Sequence, residues 1–319
     1  KHLTTIQRNK LLRLLLKYEE LFDGTLGDWQ TKPISFNLKP GSKPYHGRAF
    51  PIPHIHLKTL KKEVKRLVEL GVLVRQPTSE WASPTFIIPK KNGTVRFISD
   101  FREVNKRIVC TPYPIPKIPT VLQEMEGFTY ATALDLNMGY YSIRLDPDAQ
   151  KICTIILPWG KYSYMRLPMG VAGSPDIFQE MSGLMEDLVN VRTYLDDLLI
   201  ITKSSYDEHL AQVGNVLRRL QGAGLRVNVA KSFFAEAKIE YLGYVLTREG
   251  IKPQPEKVSA ILAILPPTTV KELRKFLGMV QYYRDLWERR SHVLAPLTNL
   301  VEECGHTKTT RKNKTKKKA

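Results

Sequence analysis

The sequence predicts an α+β protein in which an antiparallel sheet is backed by helices. Two short apolar runs, 191–194 and 198–201, stand so close together that they indicate a β-hairpin. The stretch 207–221 that follows has apolar residues at helical spacing. After Gly250 the pattern is mainly helical. Helices that cover one face or end of an antiparallel sheet are typical of an α+β fold.

The N-terminal part is predicted to contain two amphipathic helices joined by extended chain. The first helix is predicted over 5–22, where leucines recur on one face. Because proline lacks a backbone N–H, the proline-rich stretch 33–53 is predicted to be extended. The second helix is predicted over 57–70 and ends at Gly71. Its predicted inner face has apolar residues at helical spacing: Leu60, Val64, Leu67 and Val68.

The middle of the chain is predicted to alternate strands and helices. Strand patterns are found at 85–89, 95–99, 130–136, 140–145, 152–157 and 162–166. The sequence Lys90-Lys91-Asn92-Gly93 separates the first two, and Asn-Gly is typical of a tight hairpin turn. Helices are predicted over 175–188 and 207–221. The second has these residues facing inward: Leu210, Val213, Leu217 and Leu220.

The C-terminal part is predicted to be helical and then disordered. Helices are predicted over 255–264 and 270–286, on either side of Pro266-Pro267. The last sixteen residues are polar and charged, and they show no apolar periodicity. A segment of that composition cannot bury enough apolar surface to offset its conformational entropy, so 304–319 is predicted to be disordered.

The charge balance favours a polyanionic partner. The 319 residues include 49 Lys and Arg against 31 Asp and Glu, a net charge of +18. The three cysteines show no metal-ligand spacing, which favours a reducing compartment over a disulfide scaffold. No apolar run reaches membrane-spanning length and no signal peptide is recognisable, so no membrane partner is expected. Because the first residue is Lys rather than Met, a piece of a longer polyprotein is expected.

Three carboxylates are the strongest sign of chemistry. Asp196 and Asp197 stand between the apolar runs of the predicted hairpin, and alternation in strand 130–136 puts two leucines on one face and Asp135 on the other. An isolated Asp-Asp pair is usually a solvated turn. Here, however, burying acids beside aliphatic strands is costly unless a cation compensates, and divalent cations bind carboxylate oxygens well. The pattern therefore predicts a two-metal site for nucleotidyl transfer.

A series of short motifs places these acids in a wider pattern. In chain order they are Trp81-Ala82-Ser83-Pro84, Val95-Arg96-Phe97-Ile98-Ser99-Asp100-Phe101-Arg102, Tyr113-Pro114-Ile115-Pro116, Leu167-Pro168-Met169-Gly170, Gly173-Ser174-Pro175, Lys231-Ser232-Phe233 and Tyr241-Leu242-Gly243-Tyr244. Their identity and order resemble the reverse transcriptases of retroviruses and, more closely, of gypsy-type LTR retrotransposons. The resemblance runs from about Leu11 to Leu300.

The resemblance implies a right-hand polymerase with fingers, palm and thumb. It divides the chain into an N-terminal helix with a proline-rich lead-in (1–56), fingers and palm (57–250), a helical thumb (251–303) and a disordered basic tail (304–319). The implied activity is RNA-directed DNA synthesis from dNTPs on a primer, with two Mg²⁺ ions as cofactors and Mn²⁺ as a substitute. The implied partners are dNTPs and an RNA or DNA template-primer. The cytoplasm, within a virus-like particle, is the expected location, with the nucleus as the alternative. The oligomeric state stays open, with a dimer inside a pol polyprotein as one option.

The resemblance also implies roles for single residues. Asp135, Asp196 and Asp197 would hold the metals. Tyr140 would stand beneath the sugar of the incoming nucleotide and exclude a 2′-hydroxyl, the alternative being a core tyrosine. The other residues implied to contact the dNTP are Lys90 or Lys91, Arg96, Met169, Gly170 and Lys231. A primer grip is implied at Tyr241, Leu242, Gly243 and Tyr244.

Two other functions stay open at this stage. An RNA-dependent RNA polymerase also uses an Asp-Asp turn, but the bulky ring of Tyr140 argues against it. The second alternative is an inactive remnant of a mobile element that only binds nucleic acid. The intact carboxylates at 135, 196 and 197 argue against decay of the site.

Overall fold

The computed structural model describes residues 2–89, 95–110, 118–122 and 127–315. The helices are α1 (Thr5–Lys17), α2 (His54–Glu69), α3 (Arg102–Asn105), α4 (Ile118–Leu122), α5 (Pro147–Ile152), α6 (Ser174–Glu180), α7 (Tyr206–Gly222), α8 (Pro255–Leu262), α9 (Val270–Gln281) and α10 (Arg290–Thr315). The strands are β1 (Leu73–Arg75), β2 (Ser83–Pro89), β3 (Val95–Ser99), β4 (Tyr130–Asp135), β5 (Thr154–Leu157), β6 (Gly160–Tyr164), β7 (Val191–Tyr194), β8 (Asp197–Thr202), β9 (Phe233–Glu236), β10 (Lys238–Tyr241), β11 (Tyr244–Thr247) and β12 (Gly250–Pro253).

The chain forms two compact units. The first comprises Lys1–Val121 and Phe128–Ala237, and the second comprises Leu122–Gly127 and Lys238–Ala319. The first unit contains an antiparallel sheet of order β7-β8-β4-β9 and a sheet of order β1-β6-β5-β2-β3, in which β2 and β5 pair in parallel. The second unit contains the antiparallel sheet β10-β11-β12. The predicted α+β class and antiparallel sheet are therefore confirmed, whereas the functional division at 250 and 303 stays a prediction.

The sheet that carries the predicted acids is held by a core on one face. Leu134 is 1% exposed and Leu136 is 2% exposed, as strand alternation predicts. Helix α7 packs on β8 and β4 and buries an apolar stripe: Val213, Val216, Leu217 and Leu220. Leu210, also predicted to face inward, is only partly buried. Each fully buried side chain of this kind contributes about 1.5–3 kcal/mol, so the sheet is a rigid support for residues at its strand ends.

The structure differs from the prediction where the chain turns. The predicted strand 140–145 is instead a 3-10 turn over Gly139–Ser142. Met138 before it has φ 51°, a left-handed conformation that ends the extended chain. A Cβ added at Gly139 would lie only 2.7 Å from the ring of Phe178, so the turn packs where only glycine fits. This contact spans a long stretch of sequence, and local strand propensity therefore does not decide the conformation.

Several predicted helices end earlier than their apolar patterns. The predicted helix 5–22 is α1 followed by a 3-10 turn at Glu19–Phe22, and the helix predicted over 270–286 is α9 followed by one at Arg284–Leu286. Likewise, α6 gives way to a 3-10 stretch at Met181–Met185. Helix α2 ends as predicted, with Gly71 at φ 68° just after it. Of its predicted inner face, Val68 is exposed.

Helix α10 continues into the segment that was predicted to be disordered. It is helical to Thr315, so the prediction of disorder from 304 differs from the backbone found over 304–315. Once a helix is nucleated, each further residue adds one hydrogen bond, and Lys and Arg are good helix formers. Helix propagation therefore needs no apolar periodicity of its own. Residues 316–319 lie outside the described part of the chain.

Candidate active site

The hairpin with the two acids forms as predicted. Strands β7 and β8 pair with Tyr194 opposite Asp197, which leaves Leu195 and Asp196 as a two-residue loop. Leu195 has φ 54°, the positive value that two-residue hairpin loops require. Its N–H donates to Oε1 of Gln179 at 3.0 Å. Gln179 is a buried residue of α6 whose role the sequence analysis missed, and its only signal is a polar side chain beside the apolar face of that helix.

The third acid meets the hairpin at the ends of two paired strands. Asp135 is the register partner of Asp197 between β4 and β8. The N–H of Leu136 donates to the backbone oxygen of Asp196 at 3.2 Å, which joins the hairpin loop to the end of β4. The N–H of Asp135 donates to Oγ of Ser232 at 3.2 Å. The predicted grouping of the three acids is therefore present.

Burial and mutual repulsion set the charge of this cluster. Burial, reinforced by Asp196 and Asp135, raises the pKa of Asp197 to about 6. Burial also raises the pKa of Asp135, and Lys231 acts against that shift. The Nζ of Lys231 lies 3.3 Å from both carboxylate oxygens of Asp135. Raised carboxyl pKa values beside one ammonium indicate an excess of negative charge that a cation would relieve.

The donor chemistry suits a hard divalent cation, because carboxylate oxygens are the ligands that Mg²⁺ prefers. Three such groups lie at one end of the paired strands β4 and β8, and burial penalises the charged forms of Asp135 and Asp197. Within the described ranges, no three acidic, His or Cys side chains already converge into a ready metal-binding group. Asp135, Asp196 and Asp197 fit such a cation in donor type and charge, although their side chains are not yet gathered around one point.

Tyr140 lies next to the acids but on a turn rather than on a strand. Its ring stacks on Phe178 with centroids 4.7 Å apart and planes 18° apart. Burial, with Asp196 and Asp176 nearby, raises the pKa of Tyr140 to about 12, so the phenol stays neutral. The ring is only partly buried and has one face against Phe178. The phenylalanine is a second residue that the sequence analysis missed.

The loop with Met169 and Gly170 is fastened by α3. Nδ2 of Asn105 donates to the backbone oxygen of Gly170 at 2.9 Å, and its Oδ1 accepts from the N–H of Ala172 at 2.8 Å. Gly170 has φ 93°, which favours glycine, and Met169 is exposed. Ser174, the first residue of α6, donates its hydroxyl to the backbone oxygen of Pro168 at 3.1 Å. Asn105, just after the arginine of the second motif, was also missed.

Among the remaining predicted contacts, the structure describes Arg96. Arg96 is exposed on edge strand β3, opposite Ile88 of β2. Lys90, Lys91 and the predicted turn at Asn92-Gly93 lie outside the described residues, as does the Tyr113–Pro116 motif.

The predicted primer grip is a tight hairpin in the second unit. Leu242 and Gly243 both have positive φ, 48° and 80°, between the paired residues Tyr241 and Tyr244. Both of those tyrosines are 4% exposed, which leaves little ring surface for stacking on a nucleotide. The oxygen of Leu242 accepts from the hydroxyl of Tyr282 at 2.8 Å. Any contact of this hairpin with a primer would therefore be made through its two loop residues.

A known protein family matches this chain over most of the same motifs. The family described as "Reverse transcriptase (RNA-dependent DNA polymerase)" matches residues 88–246. The retrovirus-related Pol polyprotein from transposon opus of Drosophila melanogaster is 37% identical over 81% of this chain and 26% of that protein. The Pol polyprotein from transposon gypsy of the same organism is 31% identical over 82% of this chain and 26% of that protein. The chain thus spans about a quarter of the length of these relatives.

Solved structures give the same answer at the level of the fold. The foamy viral protease-reverse transcriptase (dRH) in complex with double-stranded DNA has a TM-score of 0.87 at 25% identity, over 95% of this chain and 54% of that one. The foamy viral enzyme in complex with an RNA/DNA hybrid has a TM-score of 0.83 at 25% identity, over 95% of this chain and 41% of that one. The predicted right-hand polymerase fold is confirmed. The chain belongs to the reverse transcriptase family.

Proposed function

We propose that this chain is an RNA-directed DNA polymerase, which extends a primer with dNTPs on a nucleic-acid template. The observation that carries the proposal is the pairing of Asp135 with Asp197 at one sheet edge, beside the loop residue Asp196. Family membership supports the reaction class. The net charge of +18 supports a polyanionic partner.

Asp135, Asp196 and Asp197 would hold two divalent cations, Mg²⁺ or Mn²⁺. When bound, such ions supply positive charge to the attacking 3′-hydroxyl and to the leaving pyrophosphate oxygen. The support in this chain is the raised pKa of Asp135 and Asp197, because a cation at that edge would offset the charge that burial penalises. Lys231, already in contact with Asp135, would donate a proton from Nζ to the leaving oxygen.

Tyr140 would select the sugar. Its stacking on Phe178 gives the ring a fixed position beside the acids, which suits steric exclusion of a 2′-hydroxyl. Met169 and Gly170 would lie against the nascent base pair, where a loop tied to Asn105 offers a firm surface. Arg96 and one of the lysines at 90 and 91 would contact the triphosphate, since guanidinium binds phosphate bidentately.

The neighbours of known structure include enzymes in complex with double-stranded DNA and with an RNA/DNA hybrid, which supports a template-primer as the partner. Shape and phosphate contacts suit this role, because polymerisation must proceed through any base. The cytoplasmic location in a virus-like particle and the oligomeric state stay predictions.

The test is primer extension by the purified full chain on poly-rA with an oligo-dT primer. We expect extension with dTTP, much less with UTP, and none when EDTA removes divalent cations. Asp135→Asn purified in parallel excludes a contaminating polymerase and should be inactive. Failure of the wild-type chain to extend, or equal use of UTP and dTTP, would contradict the proposal.

A further inference from the structure

The segment 24–30, here called the N-terminal strap, forms no helix or strand and contacts residues at both ends of the turn that carries Tyr140. It precedes the residues 88–246 that the family match covers. Its N–H groups pair with two different parts of the first unit: Asp28 donates to Gly224 at 2.7 Å, Trp29 to Ser142 at 2.9 Å and Gln30 to Ala223 at 3.0 Å. The strap is therefore bound by its backbone to the end of α7 and to the last residue of the turn.

The strap packs closely against the chain just after α7. A Cβ added at Gly224 would lie 2.2 Å from the backbone oxygen of Asp28. Gly224 also has φ 75°, so both the space and the backbone conformation favour glycine. The close contact with Gly224 therefore fixes the position of the strap backbone at Asp28.

The side chain of Asp28 adds ion pairs with two arginines, here called the clamp, to these backbone contacts. Its carboxylate accepts from Arg144 through both oxygens, with Nε at 2.8 Å from Oδ1, and from Nη1 of Arg166 at 2.7 Å. The bond to Arg144, reinforced by Arg166, lowers the pKa of Asp28. Nη1 of Arg166 also donates to the backbone oxygen of Ser142 at 3.3 Å. The clamp therefore acts directly on the C-terminal end of the turn.

A second anchor lies at the N-terminal end of the same turn. Nδ2 of Asn137 donates to the backbone oxygens of Gly24 at 3.1 Å and Thr25 at 2.8 Å. Inside the turn, the hydroxyl of Ser142 donates to the oxygen of Gly139 at 2.5 Å, and the N–H of Tyr141 donates to Met138 at 2.8 Å. The strap thus holds both ends of the segment that carries Tyr140.

These contacts complement the apolar support on the other side. Phe178 supports one face of the Tyr140 ring by stacking, an interaction worth about 0.5–1.5 kcal/mol beyond the surface that it buries. The hydrogen bonds of the strap are directional, and charge-assisted bonds are about twice as strong as neutral ones. Together the two supports define one position for the ring.

We propose that the N-terminal strap positions the ring that discriminates between sugars, with Asp28 and Asn137 as its positioning residues. This rests on the proposed role of Tyr140. Neither residue touches the nucleotide in this account; each acts through the turn. Loss of either anchor lets the ring move, and a displacement of about 1 Å at a reacting or excluding group is enough to change rates by up to about 100-fold.

The test compares kcat/KM for dTTP and UTP in the full chain. In Asp28→Asn the amide N–H₂ would face the guanidinium donors of Arg144 and Arg166, so hydrogen bonds of the clamp are lost. Asn137→Ala removes the hydrogen bonds to Gly24 and Thr25 without changing the charge. We expect either variant to reduce discrimination against UTP by about tenfold, through a lower KM for UTP, while kcat for dTTP changes by less than about threefold. Asp187→Asn is the matched control, because Asp187 also holds an arginine, Arg219, through both oxygens.

A double-mutant cycle separates this proposal from the function on which it rests. In a Tyr140→Val background, Asp28→Asn should change discrimination by less than about twofold, because no ring remains to be positioned. If Tyr140→Val itself leaves discrimination unchanged, the proposed role of Tyr140 fails. If Tyr140→Val changes discrimination but Asp28→Asn and Asn137→Ala do not, or if their effects persist without the ring, the strap proposal alone is overturned. Should Asp28→Asn fold poorly by thermal unfolding, Asn137→Ala decides the outcome.

Discussion

At the scale of single residues, the aromatic ring of Tyr140 has the most specific geometry. It stacks on Phe178, and burial keeps its phenol neutral. A planar ring excludes a hydroxyl by its size, so the phenolic oxygen itself is not needed for exclusion. The surroundings of the ring therefore favour a steric role for Tyr140 over a chemical role for its hydroxyl.

The corresponding prediction concerns ribonucleotides. Tyr140→Val should raise UTP incorporation relative to dTTP by at least about tenfold, equivalent to about 1.4 kcal/mol of lost discrimination. Tyr140→Phe keeps the ring and should keep the wild-type ratio. The measurement is kcat/KM for each nucleotide on the same primer and template. An unchanged ratio in Tyr140→Val would assign the tyrosine to the core.

The acids illustrate which site residues a sequence reveals. Strand alternation predicts that Asp135 faces away from the leucines of β4, and the apolar runs predict the hairpin around Asp196. Local patterns decide both. Gln179 and Asn105 were missed because each acts on a loop distant in sequence, at Leu195 and at Gly170 respectively. The residues next to an isolated Asn or Gln in a helix do not indicate which distant loop its side chain will bind.

At the scale of elements, a buried histidine joins α7 to the sheet that carries the acids. His209 is fully buried, with Nε2 at 2.8 Å from Oγ1 of Thr132 on β4 and Nδ1 at 2.9 Å from Oγ1 of Thr202 on β8. Burial lowers the pKa of His209 to about 4. The ring is therefore neutral in the folded protein, and it takes up a proton more readily when the chain unfolds.

This histidine predicts how stability depends on pH. The unfolded state binds the proton below about pH 6.5, so the contribution of His209 is complete above that pH and is lost as pH falls towards 4, by up to about 3 kcal/mol. His209→Gln cannot titrate. The gap in free energy of unfolding between wild type and variant, measured by urea denaturation, should narrow from pH 7.5 to pH 4. A gap that stays constant would contradict the assignment.

Elements were predicted well where one face is buried and poorly where distant contacts decide. The α7 stripe and strand β4 follow from periodicity. The turn at Gly139–Ser142 lies within a predicted strand, because aromatic and β-branched residues favour strands locally. Phe178 and the strap, which are distant in sequence but in contact with the turn, fix its conformation instead. The strap itself has no periodic pattern, and its partners lie more than a hundred residues away in sequence.

At the scale of the whole molecule, the positive charge and the family fold point to the same partner. In the part that the structure describes, no helix is long and apolar enough to cross a membrane. Seven of the 18 net positive charges lie in residues 304–319, and residues 1–303 still carry +11 (18 − 7). Nucleic-acid affinity should therefore be largely electrostatic and should survive loss of a single acid at the candidate site. Binding and chemistry are expected to be separable, which makes the central claim testable.

The most direct test is single-nucleotide incorporation by the full chain on a preformed primer–template complex. In Asp196→Asn and Asp197→Asn the rate should fall by at least about a thousandfold, because several kcal/mol of charge stabilisation depend on these carboxylates. The dissociation constant for the primer–template should stay within about threefold of wild type. Asp187→Asn, which removes an equal charge from an ion pair elsewhere in the same unit, should keep the wild-type rate. Rates within about tenfold of wild type in both acid variants would contradict the claim that these carboxylates form the catalytic centre.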